Sequence, residues 1–128
     1  MIEIFILLSM IFMHIVDDYY LQGILASMKQ KAWWKKQESY KDLYKYDYIV
    51  ALIMHSFSWA FMVMMPIAFV MSFAITAGFA IVFLINAAVH CIVDNLKANK
   101  MKINLVQDQS IHVVQIVATF VLFLVFWR

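Results

Sequence analysis

Apolar residues run along this chain in blocks too long for the helices or strands of a soluble domain. Residues 2–13 carry a single charge, Glu3, before His14, Asp17 and Asp18 arrive. Residues 48–93 contain no Asp, Glu, Lys or Arg, and residues 109–127 contain none either. One bilayer crossing takes about 20 apolar residues at a rise of 1.5 Å each. The 46-residue charge-free run would reach about 69 Å as one helix, so it must fold back on itself. The pattern predicts four spans, over residues 2–21, 48–68, 74–96 and 106–127, with a tight hairpin between Pro66 and Gly78. The expected architecture is all-α: an integral membrane four-helix bundle forming a single transmembrane domain over residues 1–128. An interfacial loop over residues 23–47 joins the first two spans.

Composition agrees. The 128 residues are 66% apolar and 14% charged, with a mean hydropathy of +0.83, whereas a soluble domain carries about 25% charge. The first span lacks the basic start and small-x-small cleavage site of a secretory signal peptide, so a retained helix is expected. The lone Cys91 excludes an internal disulfide.

The net charge of +2 matters less than where the charges fall. Lys29, Lys31, Lys35, Lys36, Lys41 and Lys45 lie between spans one and two, and Lys97, Lys100 and Lys102 between spans three and four. The hairpin has no basic residue, so the positive-inside rule puts both lysine loops in the cytoplasm and both termini on the non-cytoplasmic side, in a bacterial inner membrane. Arg128, the tenth basic residue, can snorkel at the far interface. The first loop mixes its lysines with Trp33, Trp34, Tyr40, Tyr44, Tyr46 and Tyr48, a composition that points to membrane lipid as partner and not to nucleic acid. The ten methionines read as adaptable packing residues and not as a copper site.

Against this background the polar residues inside the spans stand out. Each span carries one histidine: His14, His55, His90 and His112. Three have an aspartate on the same helical face: Asp17 and Asp18 after His14, Asp94 after His90, and Asp108 before His112. In an up-down-up-down bundle all four histidines fall in one layer, about 7–12 Å below the lysine-loop edge. Ionisable groups at that depth are costly and face the bundle interior. Imidazoles and carboxylates on facing helices are how bundles hold metals, and these donors suit Zn, Mn or Fe. His14, Asp17, Asp18, His55, His90, Asp94, Asp108 and His112 are therefore the expected ligands of a divalent metal. Interhelical hydrogen bonding or a proton relay is the competing account. Asn86 and Gln115, one turn deeper, either orient a ligand or simply join helices. Lys29, Lys31 and Lys97 stand at the mouth as anion contacts, or serve only as topology lysines.

The segments MHIVDDYYLQGILASMKQKAWW, LIMHSFSW, HCIVDNLKANK and VQDQSIHVVQ resemble, in order and spacing, a family of small bacterial and phage membrane proteins named domain of unknown function 3307. The resemblance covers essentially the whole chain. The family pattern, H-x-x-x-D with a following L-Q and K-x-K, a lone H, H-x-x-x-D-x-x-K and D-Q-x-x-H, falls on His14, Asp18, Gln22, Lys29, Lys31, His55, His90, Asp94, Lys97, Asp108, Gln109 and His112. Asp17 is a carboxylate beyond the pattern. The helical H-x-x-x-D pairs also look like those of membrane-bound metal-dependent hydrolases, akin to zinc phospholipase C and zinc single-strand nucleases.

These resemblances and the polar layer together predict a metal-dependent hydrolase acting on a phosphoester or lipid headgroup at the cytoplasmic leaflet. Asp18, Asp94 and Asp108 are its expected catalytic carboxylates, and Lys29, Lys31, Lys97, Gln22 and Gln109 its substrate contacts. The rivals are a proton or metal-ion transporter, for which a homo-oligomer would supply the pore, and a non-enzymatic membrane factor with a structural metal.

Overall fold

The computed structural model describes residues 1–37 and 43–127. Tyr40, Lys41 and Arg128 lie outside the described residues. Helix α1 (Ile2–Ile15) runs directly into a π-helical segment, Val16–Leu21. Two short helices, α2 (Leu25–Met28) and α3 (Lys31–Trp34), follow, and then three long ones: α4 (Asp47–Val70), α5 (Ala77–Ala98) and α6 (Leu105–Phe126). The described residues contain no strand. Four helical stretches, Ile2–Leu21, Asp47–Val70, Ala77–Ala98 and Leu105–Phe126, are long and apolar enough to cross a membrane.

The hairpin between α4 and α5 falls at residues 71–76, inside the expected window. Pro66 does not start it: α4 continues through Pro66 to Val70, because a helical φ suits the pyrrolidine ring and only one backbone hydrogen bond is forfeited. The chain reverses instead at Ser72 and Phe73, with φ of +50° and +58°, while the Phe73 N–H donates to the Ala68 carbonyl at 2.8 Å. Thr76 then caps α5, its hydroxyl accepting from the Phe79 N–H at 3.1 Å. At the far end of the chain Trp127 closes on Gly78, where an added Cβ would lie 3.4 Å from the indole nitrogen.

Helix α4 is the spine, packed along both α1 and α5, with α6 against α5 and α1. Toward the hairpin and the termini the interior is mostly apolar: Met10, Trp59, Ala60, Val63, Ile67 and Ile116 have no exposed surface, Phe120 and Phe123 close the end, and Asn86 and Thr119 are buried among them as a bonded pair. The outer surface is apolar as well, with Phe5, Leu8, Phe12, Ile53, Phe57, Leu84, Val114 and Val125 all exposed. Soluble monomers do not carry a continuous coat of this kind.

At the opposite end α2 packs on α4, and Trp34 is buried, its indole N–H donating to the Met28 carbonyl at 2.6 Å. Trp33 and Tyr44 stack around it. The aromatic loop thus folds over the lysine-loop end of the bundle, and in doing so it carries Lys29 inward.

Candidate metal centre

Local structure aims each polar side chain at the axis. In the π-helical segment each turn holds an extra residue, which brings neighbouring Asp17 and Asp18 both toward the interior, where two consecutive residues of a regular α-helix diverge. Helix α6 begins with a reciprocal capping box. Asn104 Oδ1 accepts from the Gln107 N–H at 2.9 Å, and Gln107 Oε1 accepts from the Asn104 N–H at 3.0 Å. That cap fixes the phase that turns Asp108 and His112 inward, each with no exposed surface. His14, His55, Asp17 and Asp94 are buried to 3% exposure or less, and His90 completely.

Seven of these residues share one cluster. His55 Nε2 lies 3.1 Å from His90 Nε2, 3.3 Å from Asp18 Oδ1 and 3.4 Å from Asp94 Oδ2. His90 Nε2 is 3.8 Å from Asp18 Oδ1 and 3.8 Å from Asp94 Oδ1. His112 Nε2 stands 3.5 Å from Asp94 Oδ1 and 3.4 Å from Asp108 Oδ1. Asp17 Oδ2 sits 3.6 Å from the other nitrogen of His55, and its Oδ1 accepts from the Ser58 hydroxyl at 2.6 Å. Among the described residues, four groups of three have donor atoms mutually close enough to hold an ion. They are Asp18–His90–His112, His55–His90–Asp94, Asp17–Asp18–His55 and Asp94–Asp108–His112.

His14 belongs to none of these groups. Its Nδ1 accepts from the Trp59 indole N–H at 2.8 Å, and since indole only donates, the ring proton resides on Nε2. Nε2 in turn donates to Gln109 Oε1 at 3.1 Å. Both nitrogens are committed to protein partners, so the expected role of His14 as a ligand becomes a positioning role, with its ring beside Asp18. Trp59 also stacks on His90, ring centroids 4.3 Å apart and planes 17° from parallel.

The cluster does not satisfy itself. Asp17 Oδ2, Asp18 Oδ1, Asp108 Oδ1, His90 Nδ1 and both nitrogens of His112 are buried without a hydrogen-bond partner. Two ammonium groups reach it: Lys29 Nζ lies 2.5 Å from Asp94 Oδ2, and Lys97 Nζ 2.6 Å from Asp108 Oδ2. Four carboxylates face two ammonium groups there, with the His112 ring at ion-pair distance from Asp94 and Asp108, so acidic groups outnumber the lysines that reach them. Such an excess in a low-dielectric interior is very costly, and a divalent cation removes it.

A cleft of about 360 Å³ opens the cluster toward the lysine-loop end. Asp18, Asp94, Gln22, Lys29, Lys97 and Gln109 line it. Asp108 lies behind Lys97 and does not line it. Lys31 is displaced from the site: its backbone N–H donates to Asn99 Oδ1 at 2.6 Å and its ammonium lies over the Tyr48 ring. Asn86 and Gln115 do not orient a ligand. They bond to each other and, through Asn86, to Thr119, tying α5 to α6. Sequence reasoning overlooked Trp59, which in an apolar run looks like any core aromatic, and the direct pairing of Lys29 with Asp94.

The fold and the site define a bundle of four long apolar helices with a buried His/Asp cluster able to bind a metal. No family model, curated protein or solved structure matches the chain.

Proposed function

We propose that the chain is a membrane-embedded, metal-dependent phosphoester hydrolase, with its cleft open to the cytoplasmic leaflet of a bacterial inner membrane. The observation that carries the assignment is the buried cluster of His and Asp donor atoms, set at the floor of a cleft that also presents two lysines. A divalent ion, zinc by preference for this nitrogen and oxygen set, supplies a bound water acidified toward a pKa of about 7. Asp18, on the cleft wall, would help hold the ion through Oδ1 and, through Oδ2, would accept the proton of the attacking water and pass it to the leaving oxygen. Lys29 and Lys97 turn from their aspartates to the phosphate oxygens, and the Gln22 and Gln109 amides add hydrogen-bond donors.

A lipid substrate is favoured by a second groove, about 520 Å³, between α1 and α6. Ile11, Ile15, Tyr20 and Val113 give it apolar walls, and it shares Tyr19 and Gln109 with the cleft. An acyl chain in the groove would place its phosphate headgroup at the cluster. Transport fits less well. Beyond the Asn86–Thr119 pair the interior is filled by Met10, Val63, Ile67 and Phe123, so the described residues offer no polar path to the other face.

The test is phosphate release from a short-chain phosphatidic acid by detergent-purified protein. Activity should vanish on chelation, return with Zn²⁺ and be absent in Asp18→Asn. Metal-loaded protein that releases no phosphate from lipid or soluble phosphoesters would contradict the assignment.

A further inference from the structure

The donor atoms of the cluster divide into two sets that share one residue. On one side stand His55 Nε2, His90 Nε2 and Asp18 Oδ1 with Asp94 Oδ2; on the other stand His112 Nε2 and Asp108 Oδ1 with Asp94 Oδ1. Asp94 Oδ2, which also carries the Lys29 ammonium, faces His55 of the first set, and Oδ1 faces His112 of the second, with His90 Nε2 3.8 Å away. We infer that the protein binds two divalent ions, bridged by Asp94. The inference rests on the metal assignment above and adds to it the number and placement of the ions.

Spacing supports it. Two ligands each about 2.0–2.1 Å from a tetrahedral ion are separated by about 3.3 Å. Four separations within the sets, 3.1 Å for His55–His90, 3.3 Å for His55–Asp18, 3.5 Å for His112–Asp94 and 3.4 Å for His112–Asp108, fall near that edge length. The His90–Asp18 pair at 3.8 Å is the looser edge of the first set.

Unpartnered atoms mark both positions. Asp18 Oδ1 belongs to the first set, whereas Asp108 Oδ1 and His112 Nε2 belong to the second, and all three are buried without a hydrogen bond. His112 has no exposed surface and no hydrogen bond on either nitrogen, and its Nε2 stands at ion-pair distance from Asp94 and Asp108. A single ion in the first set would leave Asp108 Oδ1 without a hydrogen bond, at a cost of about 1–3 kcal/mol for an orphaned buried polar group. The His90 and His112 rings lie 4.2 Å apart between centroids.

Charge gives the second ion a purpose. Each ion shifts the charge of this acidic cluster toward positive, so the second favours a phosphate more than one alone would. Asp17 supports the first set from outside: held by Ser58, it faces the far nitrogen of His55 and fixes the ring's orientation.

The experiment is metal stoichiometry by mass spectrometry on detergent-purified full chain loaded with Zn²⁺, beside electron paramagnetic resonance of the Mn²⁺-loaded protein. About two equivalents of zinc and an exchange-coupled Mn²⁺ signal are expected. Asp108→Asn/His112→Ala should drop the zinc to about one equivalent and leave an uncoupled Mn²⁺ spectrum. One equivalent with an uncoupled spectrum in the wild type would overturn the paired site while leaving a mononuclear hydrolase intact, and no bound metal would overturn both. The wild-type spectra decide the matter even where the double variant fails to fold.

Discussion

The same four helices enclose two interiors with opposite demands. Toward the hairpin and termini, Met10, Val63, Met64, Ile67, Ile116 and Phe123 interlock with almost no exposed surface and need nothing from outside. Toward the lysine loops, Asp17, His55, His90, Asp94, Asp108 and His112 are buried as deeply, yet several of their atoms lack a partner. The apolar half is complete as folded; the polar half has donor atoms placed so that they could hold a metal ion. Trp59 separates the two, its indole N–H on His14 and its ring face on His90. Burying carboxylates and imidazoles costs stability that Leu or Ile at the same positions would not, so the polar half is the part the proposed metal would stabilise.

Perturbations should therefore separate the halves. The largest effect is expected from metal removal: chelation should lower unfolding stability by about 4 kcal/mol if the ion is held at about a thousandfold excess over its Kd, with recovery on adding Zn²⁺. Thermal melts followed by circular dichroism read this directly. Phe123→Ala should cost about 3.5 kcal/mol through a cavity in the apolar half, with metal content unchanged. Lys29→Met should cost about 3 kcal/mol, because it strips the ammonium from buried Asp94, and here the loss should deepen in chelated protein. Trp59→Phe keeps a ring against His90 and removes one donor, so a loss of about 1 kcal/mol with weakened metal retention is expected. Lys31→Ala should change stability by less than about 0.5 kcal/mol and leave metal binding alone, since its ammonium faces Tyr48. A core substitution that emptied the metal, or a Lys31 substitution that did so, would erase the distinction between the halves.

Much of this division was legible in the sequence. The charge-free run of residues 48–93 set two spans and a hairpin, and four-residue spacing put His90 with Asp94 and Asp108 with His112 on shared faces. The layer of histidines followed from counting along alternating helices. Other features left no local trace. The π-helical turn at Val16–Leu21, which brings the adjacent Asp17 and Asp18 inward together, has no sequence marker. The withdrawal of His14 depends on Trp59 and Gln109, distant in sequence and near only after folding. Lys29 and Lys31 looked equivalent until the turn at α2 sent one inward and the other to the surface. Pro66 and Gly78 bracketed the hairpin, but the reversal itself falls on Ser72 and Phe73, whose positive φ values are ones that neither residue type favours.

The most direct test of the central claim is the metal content of protein purified without chelators, wild type beside His90→Ala/Asp94→Ala, with helix content checked in both. At least one equivalent of zinc, manganese or iron in the wild type and none in the helical double variant is the expected result. A wild type that retains no metal, or a double variant that keeps it, would contradict the account.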